Sequence, residues 1–134
     1  GRWMAYDSNE SGQTEVYVRP FPDVDGGRWQ VSTDGGVQPA WARNGRELFY
    51  RNGAALMAVP IQAGSTFAAG NPKVLFEGQY APGNGGRMYD VSPDGQRFLM
   101  VKAAPAAAPQ DGPSPRFIIV ENWFEELRRL VPTD

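Results

Sequence analysis

A glycine leading into a run of apolar and aromatic residues occurs three times along the chain, and its spacing narrows the possible folds sharply. Gly1-Arg-Trp-Met-Ala-Tyr6 returns as Gly45-Arg-Glu-Leu-Phe-Tyr50 and again as Gly95-Gln-Arg-Phe-Leu-Met100, at offsets of 44 and 50 residues. The second and third copies also share what precedes them. Gln38-Pro-Ala-Trp-Ala-Arg-Asn-Gly45 and Tyr89-Asp-Val-Ser-Pro-Asp-Gly95 each run a strand-like segment into an Asn-Gly or Asp-Gly pair. Such pairs are favoured where two successive residues need positive φ, so Asn44-Gly45 and Asp94-Gly95 are expected as two-residue hairpin turns that define the fold. Each unit then reads as a strand, a tight turn and a second strand.

Units of about 40–50 residues built from short strands have the period of β-propeller blades. Composition agrees: 16 glycines and 12 prolines among 134 residues, with no Gly-X-Y period, point to many short strands joined by turns. The expected fold is all-β, a partial propeller of about three four-stranded antiparallel blades with a short C-terminal helix. The first blade covers about 1–36, with strands at 3–7, 15–19 and 29–32, and lacks its inner strand because Gly1 stands inside the first turn. In residues 15–19, Glu, Val, Tyr, Val and Arg alternate as in a half-buried strand. The second blade, about 37–82, has strands at 38–42, 47–51, 55–61 and 73–77. The third, about 83–122, has strands at 88–91, 97–102 and 117–121. Residues 103–115 are rich in Ala and Pro and read as a mobile loop. Beyond Asn122 the apolar residues Phe124, Leu127, Leu130 and Val131 fall three or four apart, an amphipathic helix over about 123–131 that ends at Pro132.

Two zeros exclude most catalytic chemistry. Without Cys there is no disulfide frame, thiolate nucleophile or Cys-ligated zinc; without His there is no Ser-His-Asp triad, imidazole base or His-ligated metal. Thirteen basic against fifteen acidic residues give a net charge of −2, no field for holding nucleic acid or an anionic membrane. Apolar runs are only a few residues long, so no segment reads as a membrane-spanning helix, and the opening residues lack a signal-peptide succession.

The stretch Tyr89–Met100, with its echoes after Gly1 and Gly45, resembles the repeat of TolB-like β-propellers. Ser8-Asn-Glu-Ser-Gly-Gln-Thr-Glu-Val-Tyr-Val-Arg-Pro-Phe-Pro22 and Asn122-Trp-Phe-Glu-Glu-Leu-Arg-Arg-Leu-Val-Pro132 are similar to the last blades of propellers appended to bacterial, eukaryotic-like serine/threonine kinases. The resemblance spans nearly the whole chain and implies a fold more than a function. It carries no kinase activity: the Gly-rich loop, H-R-D and D-F-G are all missing.

Candidate sites are few. Asp23-Val-Asp-Gly26 lacks the further oxygen ligands of a calcium loop and reads as a hairpin turn between Arg19 and Trp29. Gly83-Asn-Gly-Gly-Arg87 has no Lys-Ser/Thr and leads into a strand, so it reads as a loop and not a phosphate cradle. Glu125 and Glu126 on the helix, and Glu10 and Glu15 beside a turn, are expected as solvated carboxylates. The recurring aromatics, among them Trp3, Tyr6, Tyr17, Trp29, Phe49 and Tyr50, are expected to pack between blades. Trp41, Arg43 and Tyr89, on the inner strands, are the positions expected to face a central channel and meet a ligand. No catalytic residue, cofactor or metal is expected. The expected function is a non-enzymatic interaction or sensory module of a larger bacterial protein. Its ring would be closed by a homodimer of six blades or by other blades of a parent chain. The alternatives are a self-assembling module with no separate ligand and a carboxylate-dependent hydrolase.

Overall fold

The structure is a computed structural model that describes residues 1–83 and 86–102. The expected loop at 103–115, strand at 117–121 and helix at 123–131 lie outside the described residues. Those described form ten β-strands, all paired antiparallel, and no helix.

Three strands, β1 (Trp3–Ser8), β2 (Glu15–Pro20) and β3 (Trp29–Gln30), make the first sheet in that order. The second sheet runs β4 (Val37–Trp41), β5 (Glu47–Asn52), β6 (Ala55–Ala63), and β6 is long enough to pair twice. Its first half, Ala55–Ala58, pairs with β8 (Lys73–Glu77), which gives the four-stranded meander β4-β5-β6-β8 expected for this unit. Its last three residues, Ile61–Ala63, pair with β7 (Phe67–Ala69), a strand the sequence did not announce. The third unit is the hairpin of β9 (Tyr89–Val91) and β10 (Phe98–Met100).

Strand alternation decides how the sheets stack. In β5, Leu48 and Tyr50 point to one face and Phe49 to the other. Leu48 and Tyr50, with Val59, Ile61 and Phe67, bury themselves against Val16, Val18 and Val31 of the first unit. Trp3 and Trp29 complete that cluster, their rings edge to face at 5.4 Å, and both rings also meet Phe67. On the opposite face Phe49, Leu56, Ala40 and Ala58 pack with Tyr89, Val91, Phe98 and Met100. The middle sheet is therefore covered on both faces, and each of its fully buried Leu, Val and Phe side chains contributes about 1.5–3 kcal/mol by leaving water.

The turns opening the second and third units match bond for bond. Gly45 N–H donates to Ala42 O and Ala42 N–H to Glu47 O; Gly95 N–H donates to Ser92 O and Ser92 N–H to Arg97 O. Asn44 Oδ1 accepts the Arg46 N–H at 2.9 Å, as Asp94 Oδ1 accepts the Gln96 N–H at 3.1 Å. They are not the expected two-residue turns. Only the glycine of each pair has positive φ, +70° at Gly45 and +72° at Gly95. Asn44 and Asp94 instead use their side chains to close the turn, so each is a type I turn ended by a left-handed glycine.

A second correction concerns β2 and Glu15. Residues 15–18 are buried on both faces, because residues 28–36 fold back over the side turned away from the core. Arg28 lies over the Tyr17 ring at 5.2 Å and pairs with Glu10 at 2.5 Å. Glu15, expected in solvent, is only 3% exposed. Its Oε1 accepts the Gly35 N–H at 2.9 Å and its Oε2 accepts the Ser32 hydroxyl, whose oxygen in turn accepts the Val16 N–H at 2.8 Å. A carboxylate satisfied in this way fastens the 31–36 loop to the strand. The stretch at Asp23–Gly26 is a turn, with Gly26 N–H donating to Asp23 O.

Candidate functional site

Two clefts open at opposite ends of β4. Of the three residues expected to act together, Trp41 and Arg43 line one, while Tyr89 is buried and reaches the other only through its bond to Gln38. Gln38 sits near the start of the strand and Trp41 at its end, three residues or about 10 Å further on at strand rise.

Trp41 and Arg43 line a cleft of about 450 Å³ together with Arg2, Trp3 and Asn44. The indole N–H groups of Trp3 and Trp41 are buried there without an acceptor. This is an apolar wall of two rings edged by two guanidinium-bearing residues.

Tyr89 belongs to the other end. It is 4% exposed, and its hydroxyl donates to Gln38 O at 2.8 Å. Burial pushes its phenol well above the usual tyrosine range, against the pull of the Arg87 and Arg51 guanidiniums. A proton that firmly held makes the hydroxyl a fixed donor and not an acid.

Gln38 is the residue around which this end is built. Its φ of +57° is the one positive value among described residues other than glycine, and it falls where the pairing of β4 with β5 shifts register between Val37 and Ala40. A bulge of this kind re-aims a side chain, and left-handed backbone at a non-glycine residue is a cost met by surrounding bonds. Here the bonds are the Tyr89 hydroxyl on its carbonyl and the Met88 N–H on its Oε1 at 3.1 Å. A Cβ at Gly83 would meet both the Gln38 side-chain amide and the Gly86 carbonyl oxygen, so a larger residue there would displace one of them.

Beside Gln38 lies Arg51, only 6% exposed although it carries a charge. It donates to Ala81 O at 2.6 Å and Gly53 O at 2.9 Å, and its guanidinium stands 5.8 Å from the centre of the Tyr80 ring. Its Nε–H has no acceptor, and no carboxylate among the described residues pairs with it. Gln38, Arg51 and Gly83, together with Asp7 and Arg87, line a cleft of about 590 Å³. Arg87 is held by Asp90 at 3.0 Å.

Such a cleft can recognise by charge and hydrogen bonding. Among the described residues no three His, Cys, Asp or Glu side chains gather as a metal site would need. The carboxylates with assigned partners are engaged structurally: Glu10 with Arg28, Asp90 with Arg87, Glu15 with Ser32 and Gly35, and Asp94 with Ser92, Gln96 and Arg97. Sequence reasoning named Tyr89 but missed Gln38 and Arg51. Gln38 carries no local signal; Arg51 does, as a charge closing the apolar run Leu48-Phe49-Tyr50.

No family model, curated protein or solved structure matches the chain.

Proposed function

We propose that the chain is an arc of about three β-propeller blades, a non-enzymatic interaction or sensory module of a larger bacterial protein, whose ring is completed by a second copy. The observation that carries this reading is the middle sheet. A four-stranded antiparallel meander stands face to face between two neighbours, and the same strand–turn–strand opens it and the unit that follows. Repeated meanders stacked in this way are the construction of propeller blades around an axis. In this reading β4 and β9 are inner strands, β1-β2-β3 is a blade without one, and the 590 Å³ cleft at Gln38 and Arg51 opens toward the axis. Closed propellers have four to eight blades, so about three blades form half of a six-bladed ring, and two copies placed head to tail close it.

Light scattering on the purified chain tests the reading. The expected species is twice the 14.7 kDa chain mass, and a folded monomer at that mass over a wide concentration range overturns it. Hydrolase, glycosidase and kinase assays are expected at buffer level. Turnover that disappears on a Glu→Gln substitution would replace this reading with an enzymatic one.

A further inference from the structure

We infer that the ring-closing contact joins the Leu99 and Val101 side of β10 in one copy to the Met4 and Tyr6 side of β1 in a second copy. The inference rests on the ring proposed above and adds which two surfaces meet.

Counting from the recurring glycines places Met4, Leu48 and Phe98 at one equivalent position, and Tyr6, Tyr50 and Met100 two residues on. Between them fall Ala5, Phe49 and Leu99, followed by Asp7, Arg51 and Val101. The described contacts assign a direction to each set. Leu48 and Tyr50 pack back against the first sheet, and Phe98 and Met100 pack back against the second. Ala5 packs forward onto the second sheet, and Phe49 forward onto the third. Among the described residues, only the two ends of the series have no further sheet against them. Met4 and Tyr6 face backward from the first unit, and Leu99 and Val101 face forward from the last.

Exposure follows that assignment. Phe49, which has a sheet in front of it, is 1% exposed; Leu99 at the equivalent place is 74% exposed and Val101 45%. Met4 is 37% exposed where its equivalent Leu48 is fully buried. The same repeat sets which faces meet. The middle sheet turns its Phe49 face to the back of the third unit, so the Leu99 face of the last unit is the counterpart of the Met4 face of the first, and the contact joins unlike faces head to tail.

The chain has no cysteine, so crosslinking can be read cleanly. Sheets packed face to face stand about 10 Å apart, a span for a short bis-maleimide. The variants are Met4→Cys, Leu99→Cys and the two combined. The combined variant, and a mixture of the two single ones, should give a covalent dimer, while each single variant alone should not. A chain that is dimeric by light scattering but gives no such dimer, or whose single variants crosslink to themselves, overturns this contact and leaves the ring standing. A chain that is monomeric by light scattering overturns both. Leu99→Glu supplies a second measurement, because a side chain so exposed tolerates a charge without unfolding. It should weaken self-association at least about tenfold with unchanged circular dichroism. Leu75→Glu on the outermost strand β8, 45% exposed, should leave association as it was. Equal effects of the two, or none from Leu99→Glu, overturn the inference.

Discussion

Truncating Phe49 to alanine tests whether the middle and third sheets pack in solution as they do in the structure. The ring is 1% exposed and meets Phe98 edge to face, with centroids 5.0 Å apart and planes at 81°. Its direct cross-strand partners are Ala40 on β4 and Ala58 on β6. Two methyl-sized neighbours leave the space that the ring occupies, so Phe49→Ala would put three alanines in a row opposite Phe98. Strand backbones cannot close in to fill that gap without breaking their ladder. The cost should lie in the upper part of the range for buried Phe→Ala, about 4 kcal/mol. Of that, about 0.5–1.5 kcal/mol belongs to the pair with Phe98. Against a total stability of about 5–15 kcal/mol this is a large loss. Urea denaturation followed by circular dichroism should show a lower midpoint at an unchanged m-value, and a double-mutant cycle with Phe98→Ala should return the coupling. A loss below about 1.5 kcal/mol with no coupling would refute the packing of β9–β10 on the middle sheet.

Three further outcomes follow from named groups. Gly45→Ala and Gly95→Ala should each cost about 1–2 kcal/mol, and by similar amounts, since φ is +70° and +72° and an added Cβ meets no atom within 4 Å at either; unequal losses in thermal unfolding would mean the turns are not equivalent. The two turns should differ in acid, because Asp94 has its carboxyl lowered by the Ser92 hydroxyl and then the Gln96 N–H, whereas Asn44 does not titrate. A lowered carboxyl contributes stability that is present above its unfolded value and lost as pH falls through the folded one, so the Gln96 amide resonance should shift below about pH 4 while that of Arg46 stays put; parallel behaviour of both amides counts against the shared geometry. At the alkaline end, Tyr50 is raised by burial and then by the Glu15 carboxylate, and Tyr89 by burial. Their protonated form is favoured in the fold, so stability should be full below about pH 10 and fall above it; tyrosinate absorbance should rise in a late step together with loss of circular dichroism, and smooth titration of every tyrosine in the folded chain would contradict the burial of both.

Nine of the ten strands were legible because their signals are local. Short apolar runs bounded by Gly, Asn and Arg mark β5 and β6 without any knowledge of what they touch. The missed strand shows the limit of such signals. Phe67–Ala69 is three residues long, has no alternation, and exists because β6 continues to Ala63 and offers an edge. Burial of β2 was misjudged for a related reason. Glu15 occupies the phase that a two-layer reading leaves in water, and what covers it is the 28–36 segment folding back from the same unit. The turns were placed correctly but typed wrongly. Asn-Gly suits two left-handed residues in succession, yet a side-chain oxygen that takes the N–H two residues on relieves the first of that need.

The candidate site was less legible, and the reason is geometric. Trp41, Arg43 and Tyr89 were grouped because all three belong to inner-strand segments, but inner strands have two ends. Tyr89 pairs with Gln38 at the start of β4, and Trp41 and Arg43 lie at its finish, so a shared strand did not make a shared site. Gln38 owes its backbone to a register shift opposite β5, a long-range event that leaves no mark on the residues beside it. Arg51 did leave a mark. The period-two pattern of β5 puts it in the phase of Phe49, on a face that is otherwise alanine, leucine and aromatic. A charge in that phase has to swing out to solvent or find carbonyls and a ring within reach. Arg51 does the second, with Ala81 O, Gly53 O and Tyr80, and this combination keeps a cation at the wall of the larger cleft without a carboxylate beside it. A charged residue that breaks the apolar phase of a strand buried on both faces is therefore the sequence signal that points to this cleft, ahead of any aromatic on the inner strands.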